Sequence, residues 1–245
     1  MLLDAFIPKV IEMLRQVQKT QREPMLRAAD AITAAIAGGH TLWVFGASHA
    51  GILTQEVFYR AGGLMLVNPI FPDGLMLNTR PPTRTSLLER VEGFSRTVMD
   101  TTPLKAGDVL IVCSTSGRNA VPIEMALEAR KRGATVVALT SMEYSGSVKS
   151  RHSSGKNLYE IADIVVDNCG VLGDAVLEVP GMEQKTASTS NIVGGAILHS
   201  IIAQVIENLV NRGIEAPVYF SGNLDGGYER NEHLLAKYSD RIHYM

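Results

Sequence analysis

A chain of 245 residues, 46% apolar and 20% charged, has ordinary globular composition and room for one α/β domain with extensions or two small domains. Its formal net charge of −2 argues against nucleic-acid binding driven by overall charge, so no nucleic-acid partner is expected. The only cysteines, Cys113 and Cys169, make no disulfide framework and no CxxC pair, which fits a reducing cytoplasm.

The N-terminus carries Asp4 and Pro8 and no basic segment before an apolar run, so no signal peptide is expected. No apolar run approaches the ~20 residues of a membrane span. Leu3, Phe6, Ile7, Val10, Ile11, Leu14 and Val17 recur at helical spacing and predict a helix over 2–19. Pro24 opens a second helix through Leu26, Ala29, Ile32 and Ile36, closed by Gly38-Gly39. These two helices supply no basic recognition helix. They read as an N-terminal extension, 1–38, that packs against a sheet or another subunit.

Strands are predicted at 41–45, 64–67, 108–113, 134–139 and 163–166, with Asn68-Pro69 closing the second. Helices are predicted at 52–60 and 87–99, and from Asn119 and Pro122 to Arg132. A polar, Ser/Gly-rich stretch at 144–157 reads as a mobile loop before a short helical turn at 158–161. Residues 176–179 read as a short strand. Thr186-Ala187-Ser188-Thr189-Ser190 reads as the cap of a long apolar helix to Val210. Residues 218–220 read as extended, and the last residues as one short helix and an exposed tail. Strands alternating with helices mean a parallel sheet covered on both faces, with ligands at the strands' carboxyl ends.

Ser114-Thr115-Ser116-Gly117 joins a buried strand to a helix start. Hydroxyls and free N–H groups there suit a phosphate or carboxylate. The turns at Ser48 and Ser141 also leave strand ends, so the three converge on one crevice. Gly46 and Gly51 match the glycines of a P-loop, but Ile52-Leu53 replaces its Lys-Ser/Thr. A dinucleotide fingerprint needs glycine at Ser48 and an acid at Asn68. Neither ATP nor NAD is expected; small-molecule phosphate binding is.

Gly46-Ala47-Ser48, Ser114-Thr115-Ser116-Gly117-Arg118-Asn119 and Ala138-Leu139-Thr140-Ser141 together resemble the SIS (sugar isomerase) domain, over about 39–211. The chain is most similar to stand-alone phosphosugar-binding SIS proteins. It is more distantly similar to phosphoheptose isomerase and the N-acetylmuramate 6-phosphate etherase. The resemblance implies a flavodoxin-like three-layer αβα sandwich on a five-stranded parallel sheet. It makes 39–245 a SIS domain with a C-terminal tail, assembled as a homodimer or homotetramer. It also implies that Ser48, Ser114, Ser116 and Thr189 hold a sugar phosphate, helped by the backbone N–H groups of Gly117 and Asn119.

Aldose–ketose isomerisation needs a base between C1 and C2 and a group that opens the ring. Glu56 follows Ser48 by about two helical turns and is the expected base, its pKa raised by desolvation and by the anionic ligand. His49 adjoins the first cradle and is the ring-opening candidate; His199 sits on an otherwise apolar helix face. The plainer roles are a solvated helix carboxylate, a turn histidine and a core histidine. No histidine and acid share metal-ligand spacing on one element, so no metal and no cofactor are expected. The expected function is a cytoplasmic sugar-phosphate isomerase acting through an enediolate. The alternatives are a sugar-phosphate sensor without turnover and an etherase-like lyase.

Overall fold

The computed structural model describes residues 1–245. Five parallel strands form its centre: β1 (Leu42–Gly46), β2 (Val67–Ile70), β3 (Val109–Cys113), β4 (Thr135–Thr140) and β5 (Ile164–Asp167). Their order is β2-β1-β3-β4-β5. β1 and β3, in the middle of the sheet, carry no polar side chain because both faces are covered. Alternation still sorts their side chains. Leu42, Val44, Val109 and Ile111 enter one core, while Trp43, Phe45, Leu110 and Val112 enter the other.

The first core is roofed by α1 (Leu2–Thr20), α2 (Arg22–Ala37), α3 (Gly51–Val57) and α8 (Ser190–Asn211). Ala28, Ala29 and Ile32 of α2 are fully buried there. Burying a side chain such as Ile32 stabilises the fold by about 1.5–3 kcal/mol. The second core lies under α5 (Phe94–Thr101) and α6 (Ala120–Lys131). Short helices α4 (Thr83–Leu88) and α7 (Met142–Ser147) precede α5 and follow β4. A hairpin of β6 (Ala175–Leu177) and β7 (Thr186–Ser188) leads into α8, and α9 (Gly227–Lys237) lies near the C-terminus. The layers are those expected of an αβα sandwich on a five-stranded parallel sheet.

Several details differ from expectation. β2 falls at 67–70, after the predicted 64–67, and contains Pro69. A proline fits because β2 is an edge strand whose outer N–H groups need no partner. The helix predicted at 87–99 is two helices, separated at Gly93, whose φ of 89° breaks the ladder. Thr186–Ser188, read as part of a cap, is β7. The stretch at 144–157 is anchored: Arg151 N–H donates to Arg118 O at 2.8 Å, and Asn157 joins Glu160 in a capping box. The tail is docked, with His243 stacked on Trp43 at 5.2 Å between ring centroids. α8, at mean hydropathy 1.5, is long and apolar enough by length and composition to cross a membrane. Half of that stretch is buried within the fold, where Val193, Ile197, Ile201 and Val205 enter the first core.

Candidate functional site

The chain leaves β1 toward β2 on one side and returns through β3 on the other, so the strand order reverses between β1 and β3. Crevices in open α/β sheets form at that reversal. Gly46 and Cys113 are paired at the carboxyl ends of the two strands. The turns that follow them face one another and line a crevice of about 470 Å³, within the usual range for a small-molecule site.

The first turn, Ser48–Ala50, is a tight single turn. A Cβ on Gly46 would meet Ala50 O at 2.3 Å, so only glycine allows the chain to fold back there. Ser48 has φ 53°, and its N–H is tied to Leu75 O at 2.7 Å. A non-glycine residue in the left-handed region is strained, and such strain concentrates at functional sites. The second turn brings Ser114, Thr115 and Ser116 to the same crevice. Gly117 holds φ 58°.

Of the expected phosphate ligands, Ser48, Ser114 and Ser116 line the crevice, and His49 lines it with them. Gly117 stands behind it, its N–H donated to Ser114 Oγ at 3.3 Å. Asn119 lies at the start of α6, with its side chain on Glu89 instead of capping the helix. Thr189 is fully buried, and its N–H and hydroxyl both donate to Asp174 Oδ1, at 3.2 and 3.4 Å. Asp174 also takes Ser190 N–H at 2.9 Å and Ser190 Oγ at 2.6 Å. A carboxylate of the chain itself therefore sits at the positive end of α8.

Glu56 and His199 meet each other but not the crevice lining. Glu56 Oε1 lies 3.0 Å from His199 Nε2, and Arg60 closes on the same oxygen. Both side chains are half-exposed. His199 stands nine residues into α8, roughly 13 Å along its axis from Ser190. The expected rise in Glu56 pKa is reversed: the hydrogen bond from His199, with help from Arg60, holds the carboxyl below its ordinary value against a smaller opposing effect of burial. The reason is local, since a cationic or donor partner outweighs desolvation on an exposed helix face.

Two carboxylates do line the crevice: Asp174, already engaged with the start of α8, and Glu89, just after α4. Burial pushes the Glu89 carboxyl above the ordinary value; the Asn119 hydrogen bond and the charges of Arg90, Arg151 and His49 oppose that rise. Its backbone O accepts from Val121 N at 3.0 Å, which fixes the loop against α6.

The model of the SIS domain matches residues 5–141. The chain belongs to the SIS domain family. A UPF0309 protein of Shouchella clausii is similar to it, 49% identical over 243 residues and covering 99% of each chain. The phosphoheptose isomerase from Francisella tularensis matches this structure with a TM-score of 0.55 at 15% identity, over 84% of this chain and 96% of that one. NanR of Vibrio vulnificus, solved in complex with ManNAc-6P, matches with a TM-score of 0.50 at 12% identity, over 100% of this chain and 71% of that one. At these identities the solved structures share the fold.

In this SIS domain the crevice combines hydroxyl donors, an imidazole and a half-buried carboxylate of raised pKa, the components of phosphate binding and proton transfer. Glu89, Tyr144, Asp174, Ser190 and Asn191 also line it, and none was singled out in the sequence as a site residue. Asp174 had one local signal: a loop dense in glycine, where Asp174 itself takes φ 65°. Cys113 is buried and its thiol is pushed up to about 12, so it belongs to the core and is no nucleophile.

Proposed function

We propose that this SIS protein is a sugar-phosphate isomerase whose phosphate cradle is Ser48, Ser114 and Ser116, with Thr189 and the N–H groups of Gly117 and Asn119 behind it. The observation that carries the reading is a half-buried carboxylate of raised pKa, Glu89, in the same crevice as those hydroxyls. The names of its structural neighbours, a phosphoheptose isomerase and a regulator complexed with ManNAc-6P, support a phosphosugar ligand.

In this reading His49 assists ring opening. Glu89 then takes the proton from the carbon beside the carbonyl. The C–H electron pair forms the C1–C2 double bond, and the carbonyl oxygen takes the charge of the enediolate. A proton passes from the C2 hydroxyl to that oxygen, and Glu89 returns its proton to C1 as the C1–C2 electron pair moves to the new C–H bond and C2=O forms, completing aldose–ketose exchange. Glu56 and His199, 3.0 Å apart, form the second proposed acid–base pair. The protein is taken to act in the cytoplasm as a homodimer or homotetramer, with 1–38 as a helical layer on the domain at 39–245.

The test is proton exchange at C2 of a panel of sugar phosphates in heavy water. Glu89→Gln is expected to lower exchange about 10²–10⁴-fold with binding retained, and Glu56→Gln to leave most of it. The opposite pattern passes the role to Glu56. Binding without exchange in the wild type favours the sensor.

A further inference from the structure

Arg151 does not line the crevice; it stands in the polar stretch 144–157 behind it. That stretch is tied down on three sides. Arg151 N–H donates to Arg118 O at 2.8 Å, and Arg118 Nε donates to Lys149 O at 3.0 Å, beside the start of α6. Ser153 donates its N–H and its hydroxyl to Glu92, between α4 and α5, at 2.6 and 2.7 Å. Asn157 Nδ2 donates to Ser145 O and Val148 O, at the end of α7, at 3.0 and 2.9 Å. From this fixed base the Arg151 guanidinium reaches Asn119 Oδ1 at 2.9 Å, and Asn119 Nδ2 reaches Glu89 Oε2 at 2.7 Å. We infer that Arg151 is a positioning residue, which acts through the Asn119 amide to hold the Glu89 carboxylate ready in the crevice. The inference rests on the reading of Glu89 as the base.

A carboxamide has a donor end and an acceptor end, and a glutamate can meet either. The ionised carboxylate needs the donor, whereas the protonated acid can give its own hydrogen to the acceptor. A guanidinium has donors only. Arg151 therefore takes Oδ1 and turns Nδ2 toward Glu89, so the amide serves the ionised form. Without Arg151 the amide is free to turn over and accept from the neutral acid. Oε2 takes the amide bond, and Oε1 carries no bond from the chain.

The position of Asn119 points the same way. It is the N-cap residue of α6, yet its side chain makes no bond to the helix. An asparagine there ordinarily accepts from the first turn, which stabilises the helix. Here the amide lies between Arg151 and Glu89 instead. Arg90 and His49 also bring charge to Glu89, and burial outweighs the Asn119 bond and all three charges. Arg151 thus acts in two ways, by its charge and by the amide it orients, and the two are separable.

The experiment is a pH titration of the Glu89 carboxyl carbon by NMR, on the full chain without sugar phosphate. Arg151→Met should move the midpoint to higher pH, by up to about one pH unit. Arg151→Lys keeps a charge and a donor and should stay near the wild type. In an Asn119→Ala background, Arg151→Met should move the midpoint clearly less than it does alone, because only the charge is then lost. The Arg151 side chain is exposed and its backbone bond to Arg118 is untouched, so the fold should survive, which circular dichroism checks. An unmoved midpoint in Arg151→Met, a midpoint as high in Arg151→Lys, or an equal shift with Asn119 absent would overturn the inference. Proton exchange at C2 of a sugar phosphate tests the isomerase reading separately. That reading alone fails if the midpoint moves as expected while no exchange occurs.

Discussion

Asn119 donates its side-chain amide to Glu89 Oε2 at 2.7 Å while accepting from Arg151 Nη1 at 2.9 Å. The bond favours the charged carboxylate, whereas burial favours the neutral acid, and burial is the larger effect. Asn119 thus restrains a rise in pKa that the crevice imposes. A base must be ionised to act, so activity through Glu89 should rise with pH along an acid limb above the ordinary glutamate value.

Asn119→Ala removes the restraint and keeps the backbone N–H. The acid limb of exchange should move to higher pH, with the largest loss of rate at the acid end. A pH–rate profile of C2 exchange checks this; an unmoved limb means that Glu89 is not the titrating base. The linkage to stability has a fixed sign. The folded chain holds the Glu89 proton more tightly than the unfolded chain. This group's contribution is fully present below the unfolded value and is lost as pH rises through the folded one. Glu56, held low by His199, acts in the opposite sense: its contribution is present above the ordinary value and lost as pH falls through the folded one.

Asp174 accepts from the Thr189 and Ser190 N–H groups and so occupies the N-terminus of α8 with the chain's own charge. Asp174→Ala should cost about 0.5–2 kcal/mol, as the loss of a helix cap does. It also leaves the helix N-terminus open to an anion. The melting temperature should therefore fall without ligand and rise more steeply with inorganic phosphate than in the wild type. Equal phosphate shifts in both proteins would show that Asp174 does not compete with the anion.

Ser116→Ala should weaken sugar-phosphate binding and leave the fold intact. Ser116 lies on the crevice wall, in the turn between buried β3 and the start of α6. Losing a hydrogen bond to a charged group costs roughly 1.5–3 kcal/mol. Calorimetry that finds unchanged affinity removes this turn from the cradle.

The layers and most elements were legible because their signals are local. Apolar runs marked β1 and β3, and Gly46, Ser48 and Gly117 marked the turns. Tertiary pairing was not legible. β2 is displaced from the apolar Leu64–Val67 because the ladder with β1 begins only at Val67. Gly62–Met65 instead lie beside the extended 217–219, through Leu64 and Val218. Glu89 resembled any helix carboxylate, since its burial and its Asn119 partner come from α6, thirty residues on. Glu56 and His199 could be named from the sequence, but not the bond between them, which depends on how α3 crosses α8.

The last prediction concerns assembly. Leu3, Ile7 and Ile11 stand four apart on α1, so they lie along one face of it, and all three are exposed. Ile11 also borders a shallow groove with Leu14, Met25 and Ala196, so the apolar strip continues from α1 onto α8. Monomers rarely expose contiguous apolar surface of this kind, and a strip continuous across two helices suits a second copy of the chain. The protein should therefore be a homodimer or homotetramer at micromolar concentration. Ile7→Glu places a charge in the centre of the strip, at a site 65% exposed in the single chain, so the subunit's own fold should survive. Light scattering should show the wild type as an oligomer and Ile7→Glu shifted toward monomer, with unchanged circular dichroism. A monomeric wild type would rule the assembly out. An oligomer indifferent to Ile7→Glu would place the interface elsewhere, and the half-exposed Ile192 of α8 would be the next position to charge.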